Sequence, residues 1–111
     1  MKKKPLILVV DDIEYNVILL EQILLAEGYR VLSAMNGKKC MDILATELPD
    51  VILLDVIMPE INGFDIADKI KQDTRTANIP ILFLSAVSEY DVKLKGLEKG
   101  AVDYITKPYD S

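Results

Sequence analysis

Residues 51–65 read VILLDVIMPEINGFD, and they indicate the kind of fold that the chain adopts. Its first four residues, Val51–Leu54, are all apolar, which predicts a strand that is buried on both faces of a parallel sheet. Asp55 then interrupts the run, although an ionised carboxylate in apolar surroundings is costly unless it is paired or solvated. We therefore place Asp55 at the carboxyl end of a central strand rather than inside the core.

Similar short runs, rich in leucine or β-branched residues, recur along the chain and predict four further strands. They are Leu6–Val10, Arg30–Ala34, Ile81–Leu84 and Asp103–Thr106. Longer amphipathic segments separate them, and strict alternation of strands and helices predicts an α/β fold with right-handed crossovers. We predict a three-layer sandwich around a flavodoxin-like, doubly wound, five-stranded parallel sheet of order 2-1-3-4-5.

The helical segments carry apolar residues at spacings of three and four, as on one face of a helix. These residues are Val17, Leu20 and Leu24 in the first segment, Met41, Leu44 and Leu48 in the second, and Ala67 and Ile70 in the third. Local signals set the expected limits of these helices. The first is expected to end with a cap at Gly28, the second to start at Asn36 and stop before Pro49, and the third to start near Phe64. A fourth helix is expected from Ser88 to Gly100. A fifth helix is missing, and we expect residues 1–111 to be a single domain truncated before it.

Composition excludes several classes of function. Half of the 111 residues are hydrophobic and 28% are charged, which is typical of a folded domain. The net charge of −5 argues against nucleic-acid binding by the domain, and histidine is absent, which excludes histidine-based catalysis and metal sites. The single cysteine, Cys40, fits a reducing compartment, and the apolar run Leu6–Val10 is too short for a signal peptide or a membrane span. We expect a cytoplasmic domain that does not contact a membrane.

Polar residues stand where the predicted strands end. They are Asp11 and Asp12, Asp55, Ser85, and Thr106 with Lys107. Ligands of a doubly wound sheet bind beyond the carboxyl ends of its strands. Since adjacent strands lie about 4.8 Å apart, these groups are predicted to converge on one crevice with Asp55 in its middle.

Three carboxylates in one crevice repel one another. Two unit charges about 5 Å apart cost roughly 3 kcal/mol at an effective dielectric of about 20, and Lys107 offsets only part of this. The cluster is therefore predicted to bind a divalent cation, and oxygen donors without His or Cys favour Mg²⁺. With a hydroxyl and an ammonium group nearby, the set suits phosphoryl transfer to Asp55 as nucleophile. A passive metal site is the alternative that these residues leave open.

Five separated motifs resemble the receiver domain of two-component response regulators. They are Asp11-Asp12, Asp55-x-x-Met58-Pro59, Asn62-Gly63, Ser85-Ala86 and Lys107-Pro108. The resemblance implies that Asp55 is the phosphoacceptor, and that Asp12 and Asp55 bind Mg²⁺ with the backbone carbonyl of Ile57, Asp11 acting mainly through water. It further implies that Ser85 and Lys107 hold the phosphoryl oxygens and that Tyr104 is an aromatic switch residue. The implied donor is a histidine kinase or a histidine phosphotransfer protein.

Some features depart from the family pattern or leave alternatives open. Ile57 and Val87, which flank the acceptor pocket in the family, are both apolar, so we expect slow self-dephosphorylation. A Mg²⁺-dependent phosphohydrolase is disfavoured, because such enzymes generally carry a second acid at the position of Ile57. A receiver that binds partners without phosphorylation is disfavoured by the intact acidic set. The segments Asp12–Asn16 and Lys107–Asp110 resemble receivers of hybrid kinases and of diguanylate cyclase regulators. The output domain or effector is unknown, and the formation of a homodimer is left open.

Overall fold

The computed structural model describes residues 3–58, 60–85 and 103–106, the last four and Ser85 by their backbone alone. Five parallel strands form one sheet in the order β2-β1-β3-β4-β5, as predicted. The strands are β1 (Leu6–Val10), β2 (Arg30–Ala34), β3 (Val51–Asp55), β4 (Ile81–Ser85) and β5 (Asp103–Thr106). The helices in the described residues are α1 (Glu14–Ala26), α2 (Gly37–Leu44) and α3 (Gly63–Gln72).

Two separate hydrophobic clusters cover the two faces of the sheet. Residues of β1 alternate between them: Leu8 belongs to a cluster with α2 and α3, and Val9 to a cluster with α1. Successive side chains of a strand point to opposite faces, so α1 lies on one face and the other two helices on the opposite one. This arrangement confirms the three-layer sandwich and explains why the inner strands are apolar at nearly every position.

The helix limits follow local capping signals. Asn36 caps α2, its side chain accepting a hydrogen bond from the N–H of Lys39 at 2.8 Å, and Asn62 caps α3 by accepting from Asp65 at 3.0 Å. Gly28 follows α1 with a φ of +91°, a left-handed conformation that favours glycine. The signals at Gly28 and Asn36 are confirmed, and α3 starts at Gly63, one residue before the predicted Phe64. The cap at Asn62 was not predicted, and the predicted helix from Ser88 to Gly100 lies outside the described residues.

Three boundaries differ from the prediction. Both β3 and β4 run one residue further, since Asp55 still pairs with Leu84 and Ser85 with Thr106. The predicted extension of α2 to Leu48 is wrong. The N–H of Thr46 bonds the carbonyl of Ile43 three residues back, a tighter spacing than the four residues of an α-helix, and the helix ends at Leu44. Leu48 is consequently 56% exposed, and the following residues turn into β3.

The connection from α3 to β4 is held by buried polar contacts. The hydroxyl of Thr76 donates to the carbonyl of Ile70 at 2.6 Å. The ammonium group of Lys71 donates to the carbonyls of Ala77 and Ile79, both at 3.0 Å, and burial lowers the pKa of Lys71. The Thr76 bond satisfies a carbonyl in the last turn of α3, and the two Lys71 bonds hold the segment that leads into β4. None of the helices within the described ranges is both long and apolar enough to span a membrane.

Cys40 lies in the core between α2 and the sheet and is fully buried. Burial raises the pKa of its thiol from about 9 to about 12, and the thiolate is the reactive form. We expect no alkylation of the native protein by iodoacetamide at pH 8, and rapid alkylation once urea unfolds it. Alkylation of the native protein at the rate of a free thiol would contradict this burial.

The same thiol is expected to make stability fall at alkaline pH. The unfolded thiol releases its proton from about pH 9, whereas the folded thiol keeps it until about pH 12. The free energy of unfolding should therefore fall in that window, by up to about 1.4 kcal/mol per pH unit from this group. Urea titrations at pH 8 to 11 measure the slope, and Cys40→Ala, which lacks the thiol, should lose this part of it.

Candidate functional site

Three aspartates meet at the carboxyl edge of the sheet. Asp11 and Asp12 follow β1, and Asp55 is the last residue of β3, the strand that pairs directly with β1. One carboxylate oxygen of each residue lies within 4.8 Å of the other two. Asp11 is fully buried and Asp55 only 4% exposed, whereas Asp12 is half-buried. The predicted convergence of these three residues is confirmed.

The chemistry of the cluster fits Mg²⁺. All three donors are carboxylate oxygens, and a hard cation that keeps some of its waters needs only one or two of them. Without a cation, carboxylates this close repel by roughly 3 kcal/mol per pair at an effective dielectric of about 20. Since Asp12 is the most exposed of the three, the open side of the cluster faces solvent, which suits an ion that retains water.

The backbone around Asp11 fixes its carboxylate. Its N–H donates to the carbonyl of Ala34 at 3.1 Å, which continues the β1–β2 ladder beyond the last strand residue. Its Oδ1 accepts a hydrogen bond from the N–H of Ile13 at 3.0 Å, at the start of α1. The Asp11 side chain is thus held in place by the strand behind it and the helix start in front of it.

The loop after β3 is closed at its base. The N–H of Val56 donates to the carbonyl of Leu84 at 3.0 Å, and the carbonyl of Val56 accepts from the N–H of Gly63 at 2.7 Å. Within the loop Val56 and Met58 are buried, whereas the side chain of Ile57 is 70% exposed. An apolar side chain therefore stands at the surface two residues after Asp55.

The remaining predicted site residues are placed by backbone or lie outside the described residues. Ser85 ends β4, next to β3, so its backbone reaches the edge that carries the aspartates. Tyr104 lies in β5, beyond β4 from Asp55. Lys107 and Val87 lie outside the described residues. The structure thus brings the three aspartates together, and the roles of Ser85, Tyr104 and Lys107 stay predictions.

Sequence reasoning missed two features of the β3–α3 loop. Glu60 has a φ of +71°, a left-handed conformation that is uncommon for a residue with a side chain. Gly63 is buried against the backbone of Asp55 and Val56, so closely that a β-carbon there would overlap the Asp55 carbonyl oxygen. The Asn62–Gly63 pair was a visible turn signal, but it contained no information about what the glycine packs against.

Comparisons with known proteins agree with this geometry. The response regulator receiver domain family matches residues 7–111. The chain is 49% identical over 104 residues to the response regulator PleD of Caulobacter vibrioides, covering 94% of this chain and 23% of PleD. It is 43% identical over 109 residues to the alkaline phosphatase synthesis transcriptional regulatory protein PhoP of Bacillus subtilis, covering 98% of this chain and 44% of PhoP. The chain thus spans less than half the length of either relative.

A solved structure shares the whole arrangement of the sheet and helices. The chemotaxis protein CheY4 of Vibrio cholerae superposes with a TM-score of 0.92 at 27% sequence identity. The superposition covers 96% of this chain and 89% of CheY4.

Proposed function

The chain belongs to the receiver domain family of response regulators, whose members are switches activated by phosphorylation, and on that premise we propose that Asp55 is the residue phosphorylated here. The observation that carries the proposal is the cluster of Asp11, Asp12 and Asp55, with carboxylate oxygens within 4.8 Å of one another. A nucleophilic carboxylate needs compensation of its charge before an anionic phosphoryl group can approach it. A cation-binding cluster at a strand end supplies the place for that compensation.

The proposed donor is a histidine kinase or a histidine phosphotransfer protein, since this chain contains no histidine of its own. A carboxylate oxygen of Asp55 attacks the phosphorus of the donor's phosphohistidine. The new O–P bond forms as the N–P bond breaks, and the electron pair of that bond stays on the imidazole nitrogen, which takes up a proton from solvent. The product is an acyl phosphate on Asp55 and a neutral imidazole on the donor.

Asp12, Asp55 and the backbone carbonyl of Ile57 would hold Mg²⁺, with Asp11 acting mainly through water, and the ion would neutralise charge on the transferring phosphoryl oxygens. Ser85 and Lys107 are proposed to bind the same oxygens through a hydroxyl and an ammonium group. Tyr104 is proposed to turn with Ser85, which would change the surface formed by β5 and the fourth helix predicted from Ser88 to Gly100. The domain is then a regulatory phosphoacceptor that catalyses only its own phosphoryl transfer and slow dephosphorylation.

The test is to weigh the intact protein after incubation with a small acyl phosphate and Mg²⁺. The expected result is the mass of one added phosphoryl group, which EDTA prevents. Repeated turnover of a phosphomonoester would instead support the phosphohydrolase. A protein that neither gains mass nor binds Mg²⁺ would be a receiver that acts without phosphorylation.

The exposed Ile57 is expected to make the phosphorylated state long-lived. An apolar side chain cannot orient a water molecule for attack on the acyl phosphate, and positioned polar groups contribute about a hundredfold or more to such steps. We expect the wild-type adduct to persist for minutes or longer in Mg²⁺, and Ile57→Asn to shorten its lifetime by up to about a hundredfold. The loss of mass with time measures both rates, and decay of the wild-type adduct within seconds would contradict the prediction.

An output domain or effector protein is the remaining partner to be proposed. The chain spans about a quarter of PleD, and we propose that an output domain or effector protein reads the phosphorylated state, as in hybrid kinases or diguanylate cyclase regulators. We propose a cytoplasmic setting on the basis of the single cysteine and the expected kinase donor. The acidic balance of the chain disfavours nucleic-acid binding by the domain itself.

A further inference from the structure

We propose that Gly63 is a positioning residue of the acceptor site, an inference that rests on Asp55 being the acceptor. Gly63 is the first residue of α3 and is buried. A β-carbon built on it would overlap the Asp55 carbonyl oxygen and lie 2.9 Å from the Asp55 carbonyl carbon and 3.0 Å from the Val56 Cα. All three contacts are with backbone atoms, so no side-chain rotation can relieve them.

The hydrogen bonds beside this contact make it rigid. The Gly63 N–H donates to the Val56 carbonyl at 2.7 Å, while the Val56 N–H donates to the Leu84 carbonyl in β4. The peptide that follows Asp55 is therefore held between β4 on one side and the start of α3 on the other. Any side chain at position 63 must displace either the helix or this peptide.

The helix is the harder of the two to move. Directly after Gly63, the side chains of Phe64, Ile66 and Ile70 are all buried in the core, the last two completely. The ring of Phe64 also contacts the ring of Phe83 in β4, with centroids 4.9 Å apart. The loop that begins at Val56 has exposed residues at Ile57, Glu60 and Asn62, so we infer that the loop and the Asp55 peptide give way first.

This displacement would reach the groups that are proposed to bind Mg²⁺. The carboxylate of Asp55 and the backbone carbonyl of Ile57 stand on either side of the peptide that Gly63 supports. Supporting groups outside the ligand set commonly change metal affinity by ten- to a hundredfold when altered. Glycine at position 63 thus permits the close approach of α3 that holds the acceptor in its binding geometry.

The test compares Gly63→Ala with two control variants. Gly37 is also the first residue of a helix and follows an asparagine cap, but a β-carbon there would meet ends of side chains, Ile61 Cγ2 at 2.8 Å and Ile66 Cδ1 at 3.1 Å. Gly37→Ala therefore reproduces the substitution without a backbone clash. Asn62→Ala removes the cap of α3 and reproduces a loss of stability at the same helix start.

Three quantities are measured for each protein: the Mg²⁺ affinity, the rate of phosphorylation by a small acyl phosphate, and the backbone amide shifts in EDTA. All measurements are made in 1 M trimethylamine N-oxide, which favours folded states. We expect Gly63→Ala to weaken Mg²⁺ binding and slow phosphorylation by roughly ten- to a hundredfold. Both controls should stay within about threefold of wild type, a range well below that effect. In EDTA the amide signals of residues 56–58 should shift in Gly63→Ala, and those at the end of α3 should not.

Each alternative result has a distinct meaning. If Gly63→Ala binds Mg²⁺ and accepts phosphate like the controls, the positioning role is wrong while the proposed function stands. If Gly63→Ala stays unfolded under these conditions, α3 has given way rather than the loop, which also overturns the inference. If the wild-type protein gains no phosphoryl group on Asp55, the proposed function itself fails.

Discussion

Asp55→Asn is expected to abolish phosphorylation and to raise the stability of the metal-free protein. An amide nitrogen and a neutral amide oxygen cannot form the acyl phosphate, so the added mass seen with wild type should be absent. The substitution also removes one charge from a cluster in which carboxylate oxygens lie within 4.8 Å of one another. Because such a pair repels by roughly 3 kcal/mol at an effective dielectric of about 20, we expect the free energy of unfolding in EDTA to rise by about 1–2 kcal/mol.

Mg²⁺ should act against this difference in stability between the two proteins. A ligand that binds only the folded state stabilises it, by about 2.7 kcal/mol at a hundred times its dissociation constant. Wild type should therefore gain stability on addition of Mg²⁺, whereas Asp55→Asn should gain little. Urea titrations with Mg²⁺ and with EDTA measure all four states.

Asp42→Asn is the matched control for this experiment. It removes the same charge from an exposed position on α2, where the only described partner is Lys38 at 3.3 Å. Exposed ion pairs contribute only about 0–1 kcal/mol, so stability, Mg²⁺ binding and phosphorylation should all remain close to wild type. A phosphoryl adduct on Asp55→Asn, or equal gains in stability for both variants, would contradict the role assigned to Asp55.

Phe83→Ala is expected to cost about 3–5 kcal/mol, the usual range for removing a buried aromatic ring. Phe83 lies in β4 and is fully buried, and its ring meets that of Phe64 edge to face at an interplanar angle of 65°. The cavity would open between the sheet and α3, where both elements are fixed by their neighbours. Since a small domain has only about 5–15 kcal/mol of stability, this variant should unfold at far lower urea concentration.

Far-UV circular dichroism during urea titration measures the loss. Leu48→Ala serves as the control, because Leu48 is 56% exposed and lies beyond the end of α2. Substitutions at such surface positions usually change stability by less than about 0.5 kcal/mol. A cost below about 1 kcal/mol for Phe83→Ala would show that the core between β4 and α3 is not closely packed.

Much of the fold could be predicted because its signals are local. The run Val51–Leu54 identified a strand buried on both faces, and the alternation of such runs with amphipathic segments predicted the parallel sheet. Asn36 indicated a helix start through a cap that involves a residue only three positions away. The predicted extension of α2 to Leu48 was wrong. The helical spacing of apolar residues continues to Leu48, but the helix itself ends at Leu44 and the chain then turns toward β3.

The candidate site, too, could be predicted only in part. The position of three aspartates at the ends of neighbouring strands could be predicted from the sequence, because a parallel sheet brings its carboxyl ends to one edge. The approach of their oxygens to within 4.8 Å and the packing of Gly63 on the backbone of Asp55 could be seen only in the folded structure. Those contacts depend on how closely α3 docks on the sheet, and that distance is set by the buried side chains of the whole interface rather than by any local pattern.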